Sequence, residues 1–334
     1  MIDFRYHLVS LISVFLALAV GVVLGAGPLQ NSLGTALNDQ VTSLREDRNE
    51  TRARLEATMS AVNERDEYIL AAADALLPGT LEGRKIALVI LPGALGEDID
   101  AVSASLEQAG ATVVGRVSLT SAWAQVSRAT YRSTYSGSVA GYLDGVPATA
   151  EPNAILGRAL AASLTRTDQN ASTLTGMLTA SAQGADPLMT VDAELTAPAD
   201  GAVVIGPRAS QATDEQAGAT PTDAEDSAAW TQALVGLAAA PTLVLGSAEA
   251  DTDLVAALRT AASPVATVDS VGQATATVSV PLAMAEALTG GHGHYGFDEG
   301  ADMVMPAVAT SVTPAAAQAS TDLGRTRPAE GGEG

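Results

Sequence analysis

The sequence predicts an α/β protein: a doubly wound, mainly parallel, Rossmann-like sheet, preceded by a single N-terminal transmembrane helix and a coiled-coil stalk. Three observations predict it. Residues 8–38 carry no charge, and 8–29 are almost wholly apolar. Apolar residues then recur alternately four and three apart from Leu37 to Ile69. Beyond Gly83, short apolar runs alternate with helical patterns. The expected divisions are a transmembrane anchor at 1–29, a coiled-coil helix at 30–78, an α/β domain at 83–305 and a disordered tail at 306–334.

The anchor is justified by length. Roughly 20 apolar residues at about 1.5 Å rise each match a ~30 Å hydrocarbon core. Arg5 and the amino terminus precede the span, whereas the first charge after it is Asp39, followed by Arg45, Glu46, Asp47 and Arg48. Basic residues beside a span favour the cytoplasmic side, so the N-terminus is expected inside and the remainder exported. Gly25, Ala26 and Gly27 offer a signal-peptidase-like site. The apolar run is longer than a signal core of about 7–15 residues and its n-region is barely basic, which favours retention. Ala17, Gly21 and Gly25, four apart, form a small-residue face suited to close helix approach.

Residues 30–77 contain no proline and read as one helix. Leu37, Val41, Leu44, Arg48, Thr51, Leu55, Thr58, Val62, Arg65 and Ile69 trace a 3.5-residue seam. Arg48, Thr51, Thr58 and Arg65 make that seam weak in isolation, but tethering through a membrane raises the effective concentration of two copies. The expected assembly is a homodimer or higher homo-oligomer through the anchor and the coiled coil, with other envelope proteins as further partners. Pro78-Gly79 ends the helix, which at ~1.5 Å per residue would hold a domain up to about 70 Å from a bilayer.

Composition narrows the function. The chain has 334 residues, 47% of them hydrophobic, enough for one or two domains besides the anchor. Cysteine is absent, which removes disulfides and thiolate metal sites. A net charge of −21 argues against nucleic acid, whose phosphates need clustered Lys and Arg.

After Gly83, residues 85–91 (KIALVIL) read as a buried strand, 97–108 as a helix stopped by Gly110, and 111–119 as a second strand. This is a right-handed β-α-β unit with parallel strands. Strands follow at 201–206, 241–246 and 264–268, with helices near 227–239, 253–262 and 281–289, so the sheet is expected to be covered on both faces. Residues 120–200 look mostly helical, with segments near 121–135 and 151–182, and 209–226 read as a mobile acidic loop. Trp123, Tyr131, Tyr135 and Tyr142, beside Arg128 and Arg132, suit the core of a helical hairpin or, alternatively, a partner-binding face.

Signals of catalysis are sparse. Residues 92–96 (PGALG) fall short of a dinucleotide loop, no Walker loop or nucleophile elbow occurs, and Ser247 has no nearby base in sequence, so no enzyme is expected. The denser cluster is 290–296 (GGHGHYG), followed by Asp298, Glu299, Asp302, Met303 and Met305. Two imidazoles two residues apart on a glycine-rich loop can reach one ion. Imidazole suits Cu(II), Zn(II) and Ni(II), and thioether suits Cu(I). His292, His294, Asp302, Met303 and Met305 are therefore the candidate metal ligands, with copper as the bound ion. The competing structural reading has the glycines forming a turn, His294 and Tyr295 capping the sheet and the methionines filling core.

The opening block MIDFRYHLVSLISVFLALAVGVVLGAGPL, with Arg5, His7, Ser10, residues 15–20 and residues 21–25 in the family's order, resembles the actinobacterial copper transporter family typified by MctB; the later coiled coil, α/β region and GGHGHYG extend the likeness over most of the chain. The resemblance implies copper efflux and homeostasis at the cell envelope, with a channel in the mycobacterial outer membrane. It carries the family's late His-rich loop onto His292, His294 and Tyr295. Here Asp298 and Glu299 follow where the family tends to have a further histidine. A lipid-embedded barrel needs many ~10-residue alternating strands and aromatic girdles. Aromatics make up only 3% of this chain, so the expected mechanism is a membrane-tethered exported protein that binds or relays copper. The alternative is a coiled-coil envelope scaffold or docking protein without metal function.

Overall fold

The computed structural model describes residues 4–25, 28–181, 186–209 and 227–308. The candidate cut at Ala26 and Gly27, the acidic loop from 210 to 226 and the tail from 309 onward lie outside the described residues. Two compact units result, Met1–Arg65 and Asp66–Gly334.

The first unit holds α1 (Phe4–Gly25) and most of α2 (Pro28–Leu76). A 20-residue stretch of α1, Phe4–Val23, has a mean hydropathy of 2.3 and no part of it is buried, so this helix is long and apolar enough to cross a membrane. The 49-residue α2 is continuous, as its lack of internal proline predicts. Its seam side chains Leu37, Leu44, Leu55 and Val62 are exposed.

The second unit is built around one seven-stranded sheet, in the order β3-β2-β1-β4-β5-β6-β7. The strands are β1 (Lys85–Ile90), β2 (Thr112–Leu119), β3 (Met189–Ala193), β4 (Gly201–Ile205), β5 (Thr242–Leu245), β6 (Ala266–Val268) and β7 (His294–Tyr295). All pairings are parallel except β2 with β3. The order runs outward in both directions from β1 and β4, which makes their junction the topological switch point of a doubly wound sheet.

Alternation along the strands divides the core into two layers. Ala87, Val89 and Leu91 face one side with Ala202, Val204 and Val244. Ile86, Leu88 and Ile90 face the other with Val203, Ile205, Leu243 and Leu245. Both sets are buried, which is why these strands read as continuous apolar runs. The first layer is covered by α5 (Pro152–Thr165), α6 (Gln169–Thr179), α7 (Ser227–Leu237) and α8 (Leu254–Thr260). The second is covered by α3 (Gly96–Gln108), α9 (Ala274–Ala287) and the end of α2 through Ala73, with Leu77 just after it. Ile69, the final position of the seam, also packs against this layer, so the globular unit begins inside the long helix and before residue 83.

Helices α5 and α7 approach to backbone contact. A Cβ on Gly157 would sit 1.9 Å from the Ala233 carbonyl oxygen, and one on Gly236 would sit 2.0 Å from that of Ala154. The aromatic cluster divides. Trp123 is buried, donates its indole N–H to Leu188 O at 2.6 Å and stacks on Trp230. Tyr131 stacks on Tyr135 beneath Arg128, outside the deep core. Arg132 is buried and donates to Asn153 and to the carbonyls of Ala122 and Gln125, which ties α4 (Ala129–Ala140) to α5.

Three expectations need correction. Residues 120–200 contain a strand, β3, which pairs antiparallel with β2 at the sheet edge. Five residues, only the first of them buried, carry too short an alternation to stand out. The helix expected at 281–289 starts seven residues earlier, at Ala274; Pro281 lies inside it, although proline is favoured at a first turn. The glycine-rich 290–296 segment is not all loop, because His294 and Tyr295 pair with Thr267 and Val268 as β7.

Candidate functional site

The His-rich segment is held at the far edge of the sheet by a buried ion pair. Arg259, facing inward from α8, places its guanidinium 3.0 Å from Asp269 at the end of β6, and both side chains are almost wholly buried. Arg259 also donates to Thr267 Oγ1 at 3.2 Å, to Tyr295 O at 2.9 Å and to Glu299 O at 3.1 Å. Asp269 accepts backbone N–H bonds from Phe297 and Asp298, each at 3.0 Å, and the Ser270 hydroxyl at 2.7 Å. A buried charge pair is tolerated when further hydrogen bonds satisfy most of its remaining lone pairs and protons, as they do here. Its effect here is to fix the chain from 295 to 299. Gly296 takes φ +133°, and a Cβ there would fall 1.8 Å from Asp269 Oδ1.

On that frame His294 is half-buried, with Nδ1 3.0 Å from Thr267 Oγ1. Thr267 Oγ1 already accepts the Arg259 Nε–H, which leaves it one lone pair and one proton to meet Nδ1 in either tautomer. With the proton on Nδ1, the Nε2 lone pair is available to a cation. Burial lowers the His294 pKa; Asp302 pulls it back up, and Arg259 and His292 push it down further. The net shift favours the neutral imidazole, the form a metal needs.

Asp302 receives the backbone N–H of His294 on Oδ2 at 3.0 Å and donates its own N–H to His294 O at 2.7 Å. Met303 pairs with Tyr295 in a parallel bridge and donates its N–H to His294 O. Met303 and Met305 are exposed, as is His292. Tyr295 is buried and donates its hydroxyl to Glu286 on α9; burial and that carboxylate raise its pKa strongly. Burial and the neighbouring Asp269 also raise the pKa of Asp298.

The structure therefore brings His294, Asp302 and Met303 to one strand end, with His292 close enough to act on His294 electrostatically. Among the described residues there is no group of three or more His, Asp or Glu arranged to hold a metal ion. One Asp302 oxygen is spent on the backbone. His292, Met303 and Met305 are exposed and His294 is half-buried, so these side chains lie at a surface and not in a closed cage. Sequence reasoning missed the residues that position it. Arg259 stands alone in the apolar stretch 254–262 and Asp269 follows a buried strand, and such isolated charges in apolar settings were the available signal.

The switch point carries a second charged arrangement. Arg208, just past β4, donates to Asp98 at 2.8 and 3.0 Å and to Glu97 at 2.5 Å. Pro207 lies against Gly93, where a Cβ would come within 3.3 Å of it. Ser247 donates to Asp253 at 2.6 Å, within the turn that opens α8.

A helix long and apolar enough to cross a membrane, a long second helix and a doubly wound α/β unit with a late His/Met strand end define the class of α/β protein to which this chain is to be compared. The profile of the family described as "Copper transport outer membrane protein, MctB" matches residues 1–306, and the chain belongs to that family. It is 33% identical over 129 residues to the copper transporter MctB of Mycobacterium tuberculosis (strain ATCC 25618 / H37Rv), an alignment covering 39% of this chain and 41% of the relative. It is 35% identical over 120 residues to copper transporter MctB of Mycobacterium leprae (strain TN), covering 36% and 38%. The aligned segment thus spans about two fifths of the length of these relatives.

Proposed function

We propose that the chain is a membrane-tethered protein of the cell envelope that binds or relays copper during its efflux, with its N-terminus cytoplasmic and its α/β unit exported. Membership of the copper transport family supports the cargo. The observation that carries the site is the pinned strand end: the His294 imidazole, positioned by Thr267 and Arg259, with His292, Met303 and Met305 exposed on the flanking chain. A few nitrogen and thioether donors at a surface suit an ion that must be passed on, because a closed cage holds its metal too tightly for transfer. Imidazole accommodates Cu(II) and thioether Cu(I), so the set tolerates either oxidation state.

A pore role rests on the family's description alone. The sheet of this chain is covered by helices on both faces, so its strands do not meet lipid. The test is equilibrium copper binding by the full chain in detergent, wild type against a His292→Ala/His294→Ala double variant. The proposal expects uptake by the wild type and a clear loss in the variant; equal uptake by both removes the site.

The scaffold reading remains as the second. It is favoured by the exposed apolar seam of α2, which copper binding does not use.

A further inference from the structure

The exposed seam of α2 has a charge pattern that says what covers it. Leu37, Leu44 and Leu55 are 67%, 62% and 58% exposed, and Val41 and Val62 share their stripe. Soluble helices rarely leave such a stripe uncovered over several turns. From Asp66 onward this side of the chain is occupied: Ile69 of the seam, followed by Ala73 and Leu77 on the adjoining face, packs into the globular unit. The stretch from Leu37 to Arg65 is the part without an occupant.

Two arginines interrupt it. With Val41, Arg48, Leu55 and Val62 at a positions and Leu44, Thr51, Thr58 and Arg65 at d, Asp47 falls at g, Arg52 at the following e, and Asp66 at the e beside Arg65. Among the described residues Arg48, Arg52 and Arg65 form no ion pair within their own chain, whereas Arg54, off the seam, pairs with Glu50. In a parallel, in-register pair an a side chain packs beside the preceding g of the other helix, a d side chain beside the following e, and each g faces the next e across the seam. Arg48 then meets Asp47 of the second copy, Arg65 meets Asp66, and Asp47 meets Arg52. Every seam arginine finds a carboxylate beside it, which offsets its repulsion from the same arginine of the second copy across the core.

We infer that residues 37–65 form a parallel, in-register two-stranded coiled coil with a second copy of this chain, its register set by the Asp47–Arg48–Arg52 cluster. Polar residues at single a positions are a known way to fix register and partner number at some expense of stability. This inference goes beyond the copper reading and does not rest on it.

The absence of cysteine makes the test clean. The full chain in membranes receives one cysteine at a time: Leu44→Cys or Val62→Cys on the seam, and Glu46→Cys or Ser60→Cys on the outer face. After mild oxidation the seam cysteines are expected to yield disulfide-linked dimers several-fold more than the outer ones. Mixed chains carrying Leu44→Cys and Val62→Cys are expected to show no 44–62 link, since those positions lie about 27 Å apart along a parallel pair at ~1.5 Å per residue. Asp47→Arg places only positive charge in the cluster and is expected to lower the Leu44→Cys yield several-fold. Adding Arg48→Asp and Arg52→Asp inverts the pattern and is expected to restore it. Equal yields on seam and outer face, a 44–62 link, capture of only other proteins at the seam cysteines, or no rescue by the inverted triple overturns the inference. Copper uptake by the same chains reports separately on the late histidines.

Discussion

The Arg259 guanidinium lies 3.0 Å from the Asp269 carboxylate inside the sheet, and between them these two side chains hold the backbone of residues 295–299. The chemistry-bearing His294 is consequently placed by groups more deeply buried than itself.

Breaking that pair from one side leaves an uncompensated buried charge. Arg259→Met is expected to destabilise the α/β unit by about 3–5 kcal/mol, and the double variant Arg259→Met/Asp269→Leu by less than the two single variants summed. Chemical denaturation of the full chain measures both. The amides of Phe297 and Asp298, which donate to Asp269, are expected to exchange with solvent faster in either single variant.

Gly157→Ala and Gly236→Ala each push a methyl group into a facing carbonyl between α5 and α7. Overpacking of this kind is expected to cost about 1–3 kcal/mol, read as a lower denaturation midpoint at unchanged m. Gly176→Ala is the control, because a Cβ there meets nothing within 4 Å.

Asp168 caps α6, accepting the Ala171 N–H at 2.9 Å. That bond and the Arg166 guanidinium hold its pKa below the ordinary 3.8 of a carboxylate. A depressed carboxylate stabilises the folded state above its unfolded pKa, and that contribution fades as pH falls through the folded value. Asp168→Ala is therefore expected to lower Tm at pH 7, and the deficit should shrink as pH drops below about 3.8. Asp168→Asn keeps an N-cap acceptor and is expected to lose less.

Gly296→Ala retains every candidate metal donor but displaces Asp269 from beneath the strand end, since φ +133° and the 1.8 Å approach both exclude a side chain. It is expected to weaken copper uptake as His294→Ala does. Undiminished uptake would show that the donors act without the frame.

Much of the fold was legible because doubly buried parallel strands announce themselves. Residues 86–91 and 201–206 are continuous apolar runs, and β1 and β4 lie where those runs do. The edges were not. The β3 strand is half-exposed and β7 is two residues long, so neither carries a period, and both are defined by neighbours distant in sequence. The long helix was readable from its spacing, but the point at which its stripe turns from open to covered, near Ile69, depends on a sheet that local sequence does not describe. His292 and His294 stood out by residue type. Thr267, Arg259 and Asp269, which orient the cluster, did so only as lone polar residues among apolar ones.

The central claim is that the strand end at His294 serves copper export. Its most direct test is the intracellular copper content of cells lacking this chain, challenged with copper and complemented by wild type or by His292→Ala/His294→Ala at equal membrane abundance. The account predicts that wild type returns copper to its normal level and that the double variant leaves it raised. Equal restoration by both, or no rise when the chain is absent, would contradict it.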